Sequence, residues 1–530
     1  MFIVYIREDG KVVEDTVRRV FSDMVVLKDP ERTEFFSNLS MPSYMRDWLV
    51  MKFSDNQGSI DYDSVLSYIK KFIPDRDAFQ VIKYRLMQGS TEKLLARIRL
   101  DVNLKKGVVQ FELPDFGGSR GGASGIVSDE VLERYADSLL RESENWGIIE
   151  LSLGSTLSLD DEFNNGRSMV SSKFYDKLFG RKKVEEEDHN CYKPNEIYLS
   201  GYKPFCPYKV DLDFYKAARN NFDIHEWIDV IISAVDYNPA GYTDEEGNIS
   251  EITKRYFLRR LLPFIEKRVN LIELAPKGTG KSYVYEKISK RGWLISGGTV
   301  SRASLIYDNA KKAGGLLTRF DYVGFDEVQS ITFEQPGQIQ QALKHYMEFG
   351  EIKGFDAQMA TEAGVIVLGN IDAERFDINT NMVENISEVF GESATLDRFH
   401  GFIPGWEIPR LNQDLIAKGW AINTEYFAEV LHALRDDLSY AALVDSCLDI
   451  PPKADKRDMT AIKRLCTAFV KLLYPNAKHK GDIPPDEFVE YCLNPAKEMR
   501  AVIKKQLCII DPKEFDVPGK NTIPDVQYKR

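Results

Sequence analysis

The sequence is sparing with cysteine. Six cysteines are spread over 530 residues, at Cys191, Cys206, Cys447, Cys466, Cys492 and Cys508, and no two form a C-x-x-C pair. That scatter argues against a disulfide framework and a structural zinc site, and fits reduced thiols. Long apolar runs are missing too: nothing approaches the roughly 20 uncharged residues of a membrane span. The opening MFIVYIREDGK lacks the layout of a secretory leader. A cytoplasmic protein with no membrane partner is therefore expected. Basic residues do not dominate either. Seventy Lys and Arg against 82 Asp and Glu leave a net charge of −12. This argues against a surface generally coated by nucleic acid but leaves room for a local basic channel. There is no internal repeat. A chain of this length is expected to hold two to four domains.

What is present is a phosphate-binding loop. The apolar Leu271, Ile272 and Leu274 read as a buried strand. They run into Ala275-Pro276-Lys277-Gly278-Thr279-Gly280-Lys281-Ser282-Tyr283, where a helix begins. Strand, glycine loop, Lys-Ser and helix, in that order, mark a nucleoside triphosphatase. Gly278 and Gly280 let the backbone wrap a phosphate with its N–H groups inward, and the following helix aims its N-terminus at the same anion. Lys281 supplies charge to the β/γ phosphates of ATP and Ser282 a hydroxyl to Mg²⁺. The usual first glycine is Ala275, which costs little where φ is negative.

Three later features fit the same chemistry. Phe320 to Glu327 (FDYVGFDE) is a strand ending in Asp-Glu. Asp326 is expected to hold Mg²⁺ and Glu327 to polarise the attacking water. The strand Gly364–Asn370 ends in Asn370, either a sensor of the γ-phosphate or simply a strand-end turn residue. Arg398, in Leu396-Asp397-Arg398-Phe399, fits an arginine finger for a neighbour's γ-phosphate, or else a surface arginine. Arg457, opening an amphipathic helical run, is a candidate second sensor reaching phosphate from the lid.

The chain divides, on this reading, into an N-terminal α+β domain (1–125), an intermediate α+β region (126–221), the ATPase core (222–410), a helical lid (411–510) and an extended tail (511–530). The glycine-rich Pro114–Gly125 reads as a loop or domain junction. RKKVEEEDH at 181–189 reads as an exposed charge run. In the N-terminal domain, Lys70, Lys71, Lys83, Arg85, Arg97 and Arg99 are interleaved with aromatics. Two readings stay open for them, a solvated face or a contact surface for a phosphate backbone.

With these pieces placed, the chain resembles the AAA+ ATPases, and more closely the BrxL family, the Lon-protease-like component of BREX anti-phage systems. The resemblance rests on FDIHEWIDVIISAVDYNP, NLIELAPKGTGKSYVYEKIS, FDYVGFDEV, LKHYMEFGEIKGFDAQ, VIVLGNID, LDRFHGFIPGWEIP and KRDMTAIKRLCTAFVKLLYP, within about residues 222 to 508. It implies an α/β P-loop core, a parallel sheet flanked by helices, with a helical lid and a mixed α+β domain before it. LKHYMEFGEIKG also resembles the hairpin before the first sensor of the MCM helicases, which implies a ring around DNA, with Lys353 on that hairpin touching phosphate. The implied protein is a hexameric ring, single or stacked as two, that binds double-stranded DNA and works with other BREX proteins. Alternatives are a protein-remodelling ATPase and a nucleotide-stabilised DNA-binding scaffold. Many relatives carry a C-terminal Lon-like domain; no P-K-D-G-P-S-A-G pattern is present here, so a short form without peptidase activity is expected.

Overall fold

The computed structural model describes residues 11–529 apart from 38–42, 56–58, 74–77, 104–106, 117–122, 142–144, 155–195, 205–209, 244–246, 310–312, 354–357, 373–377 and 385. The opening MFIVYI and the charge run at 181–189 lie outside the described residues. The chain forms two compact units: Met1–Lys52 with Val210–Arg530, and Phe53–Lys209.

The N-terminal stretch therefore belongs to the same unit as the phosphate loop. Its helix α1 (Lys11–Phe21) leads into strand β1 (Val25–Lys28). That strand pairs antiparallel with Gly419–Ile422, Val25 opposite Ile422 and Lys28 opposite Gly419. Helix α2 (Ser43–Phe53) follows. The expected break at 125 does not match this division.

The second unit is built on a β-barrel. Strands β2 (Glu92–Asn103), β3 (Val108–Leu113) and β4 (Ala123–Val127) are followed by helix α3 (Asp129–Arg141). Then come β5 (Asn145–Leu153) and β6 (Ile197–Pro204). The barrel closes in the order β2-β3-β4-β6-β5, with β4 and β6 parallel and β5 antiparallel to β2. This is a five-stranded Greek-key barrel of the OB type, its helix between the third and fourth strands. Leu94, Ala96 and Ile98 of β2, Phe111 and Leu113 of β3, and Ile149 and Leu151 of β5 fill it at every second position. Gly125 lies inside β4, opposite Phe111. The described ends of the glycine-rich stretch, Pro114–Phe116 and 123–125, both belong to this unit, so the division between the two units does not fall there; residues 117–122 lie outside the described residues.

The core of the first unit is a parallel sheet. In chain order its strands are β7 (Leu271–Ala275), β8 (Gly292–Ser296), β9 (Tyr322–Asp326), β10 (Gly364–Asn370) and β11 (Gly401–Pro404). In space they lie β11-β7-β10-β9-β8. The central strands are mostly apolar because both faces are covered, although β7 also buries Glu273. Ile272, Leu274, Val323, Phe325, Val365 and Val367 sit in one buried cluster. The lid is largely helical but opens on the strand Gly419–Ile422 that pairs with β1. Its first α-helix begins at Thr424, where the Asn423 side chain accepts from the otherwise unpaired N–H groups of Glu425 and Tyr426. Among the described residues, no helix is long and apolar enough to cross a membrane.

Candidate functional site

The carboxyl ends of β7, β9 and β10 bring the motif residues together. Asn370 lies in register with Ala275, and β10 runs beside β9, which ends in Asp326. Out of β7 the loop turns through Gly278 (φ +83°) and Gly280 (φ +76°) into helix α4 (Lys281–Lys287). Both glycines occupy the left-handed region that side chains disfavour. Ala275 is buried and is not among the positive-φ residues, which is why a methyl group is accepted there. The Gly278 carbonyl accepts from the Leu411 N–H at 2.7 Å.

The four polar groups converge. The Ser282 hydroxyl donates to Asp326 Oδ2 at 2.6 Å. Lys281 Nζ donates to Asn370 Oδ1 at 3.0 Å. Burial lowers the Lys281 pKa, against the pull of Glu273, Asp326 and Glu327. Glu327 is exposed, in a left-handed backbone (φ +46°), with its N–H donated to Asp326 Oδ1 at 2.9 Å. Its side chain therefore stands clear of the strand, where water can reach it. Among the described residues no three His, Cys, Asp or Glu side chains converge as a metal cage. A hydroxyl beside one carboxylate is nonetheless the oxygen set that suits Mg²⁺ when substrate phosphates and water supply the rest.

Arg398 and Arg457 lie elsewhere. Arg398 precedes β11, and the His400 N–H donates to the Asn270 carbonyl just before β7. This is the amino end of the sheet. Arg457 Nη1 donates to Asp397 Oδ2 at 2.7 Å, and both arginines form ion pairs with Glu348 at 3.1 Å. Arg457 thus stands beside Arg398 and does not reach over its own phosphate loop from the lid. The cause is local: Asp455 caps the helix that Arg457 opens, and Asp397 and Glu348 take its charge.

The candidate DNA residues fall into several environments. Lys70 and Lys71 are exposed at the end of the helix Tyr62–Phe72. Lys83 lies over the Phe79 ring and Arg97 over Trp146. Arg85 faces Glu92, and Arg99 is ion-paired with Glu112. Lys93, beside them, is paired with Glu150 at 2.9 Å. The charged strand face is thus largely neutralised by its neighbours. Lys353, in the other unit, is exposed on the hairpin Glu351–Lys353 with Gln358–Ala360.

Sequence reading missed the groups beneath the loop. Arg260 and Glu273 form a fully buried ion pair at 2.5 Å. Arg260 Nη1 also donates to the Thr279 carbonyl at 2.8 Å. The available signal was Glu273 itself, a carboxylate inside an apolar strand, which demands a cation. Asp236 and Tyr237 also touch the loop and its helix; both lie in the stretch FDIHEWIDVIISAVDYNP, but nothing in its spacing shows that they reach the loop.

Comparison with known proteins agrees with this geometry. Residues 197–520 match the family described as "Lon-like protease BrxL-like, ATPase domain". Residues 19–153 match "BREX system Lon protease-like protein BrxL N-terminal". The chain is similar to the Lon-like protease BrxL of Escherichia coli O9:H4 (strain HS), 25% identical over 516 residues, covering 96% of this chain and 67% of that protein. It is also similar to the Lon-like protease BrxL of Bacillus cereus (strain H3081.97), 25% identical over 494 residues, covering 92% of this chain and 66% of that protein. The chain thus spans about two thirds of the length of these relatives. With an ATPase domain matched over more than half its residues around a formed phosphate loop, the chain belongs to the BrxL family.

Proposed function

We propose that the protein is an AAA+ ATPase that assembles into a ring, binds DNA and acts in BREX phage defence, with ATP hydrolysis driving DNA engagement or remodelling. The observation that carries the reading is the meeting of Lys281, Ser282, Asp326 and Asn370 at the carboxyl ends of adjacent parallel strands. Lys281 and the loop N–H groups hold the β/γ phosphates. Ser282 and Asp326 hold Mg²⁺, which when bound neutralises charge on the phosphates. Asn370 orients Lys281 and the γ-phosphate. Glu327 takes up the proton side of the attacking water.

The arginines support assembly. Five residues of β7 at about 3.3 Å each put ~16 Å between the phosphate loop and Arg398, well beyond the reach of a side chain. Arg398, with Arg457 beside it, therefore serves a neighbouring copy. An interface that gives a finger on one side and receives one on the other is head-to-tail, the kind that builds a ring when the rotation between copies closes; six copies, single or stacked as two rings, is the proposed assembly. Barrels of OB connectivity bind oligonucleotides, an analogy of fold that supports nucleic acid as the ligand; double-stranded DNA is the proposed track. Lys70, Lys71 and Lys353 are the exposed basic residues proposed to meet it. Other BREX proteins are the proposed partners.

A second reading, protein remodelling, is favoured by one observation: Lys93 and Arg99 on the barrel are already paired with acids. ATP turnover with and without double-stranded DNA separates the two, with Glu327→Gln as the blank. Stimulation by DNA that weakens as salt rises, and is absent in Glu327→Gln, is expected. Turnover indifferent to DNA would transfer the case to protein remodelling. Turnover retained by Glu327→Gln would remove that residue from the mechanism.

A further inference from the structure

Asp236 follows the helix Ile224–Ala234 and is buried with φ +74°. A non-glycine residue seldom holds that backbone unless its surroundings fix it. Here they do. Asp236 Oδ1 accepts from Lys28 Nζ at 2.7 Å and from Arg46 Nη2. Its Oδ2 accepts from the Tyr283 hydroxyl at 2.8 Å. That hydroxyl also lies 2.7 Å from Ser43 Oγ. A phenol has one proton, so Tyr283 donates to the carboxylate and accepts from Ser43. Burial works to raise the Asp236 pKa, but Arg46 and Lys28 overcome it and keep the carboxylate charged.

The next residue works on the other side of the loop. The Tyr237 hydroxyl donates to the Gly280 carbonyl at 3.3 Å. A Cβ built on Gly280 would stand 2.2 Å from that hydroxyl, so the two are in tight contact. Between Gly280 and Tyr283 lie only Lys281 and Ser282. Two consecutive residues thus brace the chain immediately before and immediately after the two side chains that meet phosphate and metal. The N-terminal stretch closes the frame. Lys28 also donates to the Ala234 carbonyl at 3.0 Å and to Thr424 Oγ1 at 2.8 Å. Asp47 holds Arg46 and accepts the Thr424 N–H at 3.0 Å.

We propose that Asp236 and Tyr237 are the positioning residues of the phosphate loop, and that Lys28, Ser43 and Arg46 make the N-terminal segment a working part of the nucleotide site. The proposal rests on the reading that Ala275–Tyr283 holds the phosphates of ATP. Neither positioning residue touches the nucleotide. They act through the Gly280 carbonyl and the Tyr283 hydroxyl.

The test uses the full chain and titration with a fluorescent ATP analogue. Tyr283→Phe removes the shared hydroxyl and keeps the ring. Its affinity for the analogue is expected to fall about tenfold, the effect of one charge-assisted hydrogen bond. Ser43→Ala is expected to weaken affinity in the same direction, with its turnover loss in KM rather than in kcat. The double variant should be no weaker than Tyr283→Phe alone, because both changes act through one hydroxyl. Unchanged affinity in Tyr283→Phe, or full additivity with Ser43→Ala, overturns the proposal whatever happens to the melting temperature. Lys281→Ala is the control on the underlying reading. If it loses affinity while Tyr283→Phe does not, the positioning role alone falls. If Lys281→Ala still binds normally, the phosphate-loop assignment falls with it.

Discussion

Glu273 sits in the middle of β7, a strand whose five residues are all buried. Its carboxylate is tolerable there because Arg260, equally inaccessible, meets it. Burial lowers the Arg260 pKa and Glu273 more than restores it, so the guanidinium stays charged. Removing one partner strands the other. Arg260→Met is expected to cost about 3–5 kcal/mol, read as a lower denaturant midpoint. The pairing Arg260→Met with Glu273→Leu removes both charges and should recover most of that loss. It should not recover ATP affinity, because the Thr279 carbonyl in the phosphate loop has still lost its donor. A double variant as unstable as the single would show that the cost is one of packing and not of a stranded charge. At this scale the sequence was half legible. Lys281 and Ser282 were readable because the loop that aims them is contiguous. Arg260 was not, because Arg259 precedes it, both are buried, and only the fold says which of the two meets Glu273.

Helix positions were readable at the scale of the element, and their partners were not. The apolar spacing of Ile462, Leu465, Phe469 and Leu472 marks a buried face, and all four are buried. Periodicity fixes a face; it does not say which end of the sheet the first turn meets, and so it could not place Arg457 beside Arg398. The helix Thr424–Arg435 shows the energetic side of such contacts. Its Glu429 receives Arg291 Nη2 at 2.8 Å and lies 3.3 Å from Lys290, just before β8. Burial pushes the Glu429 pKa up, but Lys290 and Arg291 pull it down from 4.5 to about 2. A depressed carboxylate stabilises the fold above its unfolded value, and that contribution is lost as pH falls through the folded value. The window therefore runs from about pH 4.5 down to about pH 2. Thermal melts across it should steepen with acid in the natural protein, and Glu429→Gln should flatten the slope while lowering the neutral-pH midpoint. Equal slopes in the two would mean that other carboxylates govern the acid transition.

The division of the whole molecule was the least legible feature, and the reason is distance along the chain. A four-residue strand at Val25–Lys28 carries no sign that its partner lies at Gly419–Ile422. Composition made the first 125 residues look like one module; pairing gives the first 52 to the ATPase unit and makes the barrel an insertion within it. The barrel strands themselves could be anticipated from alternation, but their closure could not. This architecture has a consequence for truncation. Without residues 1–52, Asp236 loses Lys28 and Arg46, the two cations that hold its buried charge, and the strand Gly419–Ile422 loses its β1 partner. The remaining chain is expected to lose about 3–5 kcal/mol from the uncompensated carboxylate, seen as a lower melting temperature and poorer yield of soluble protein. Asp236→Asn should then act in opposite directions in the two backgrounds. In the full chain it leaves Lys28 and Arg46 with less negative charge and destabilises. In the shortened chain it removes the stranded charge and stabilises. If Asp236→Asn is harmful in both, the N-terminal segment contributes packing alone, and the electrostatic bond between it and the nucleotide loop is not what holds this unit together.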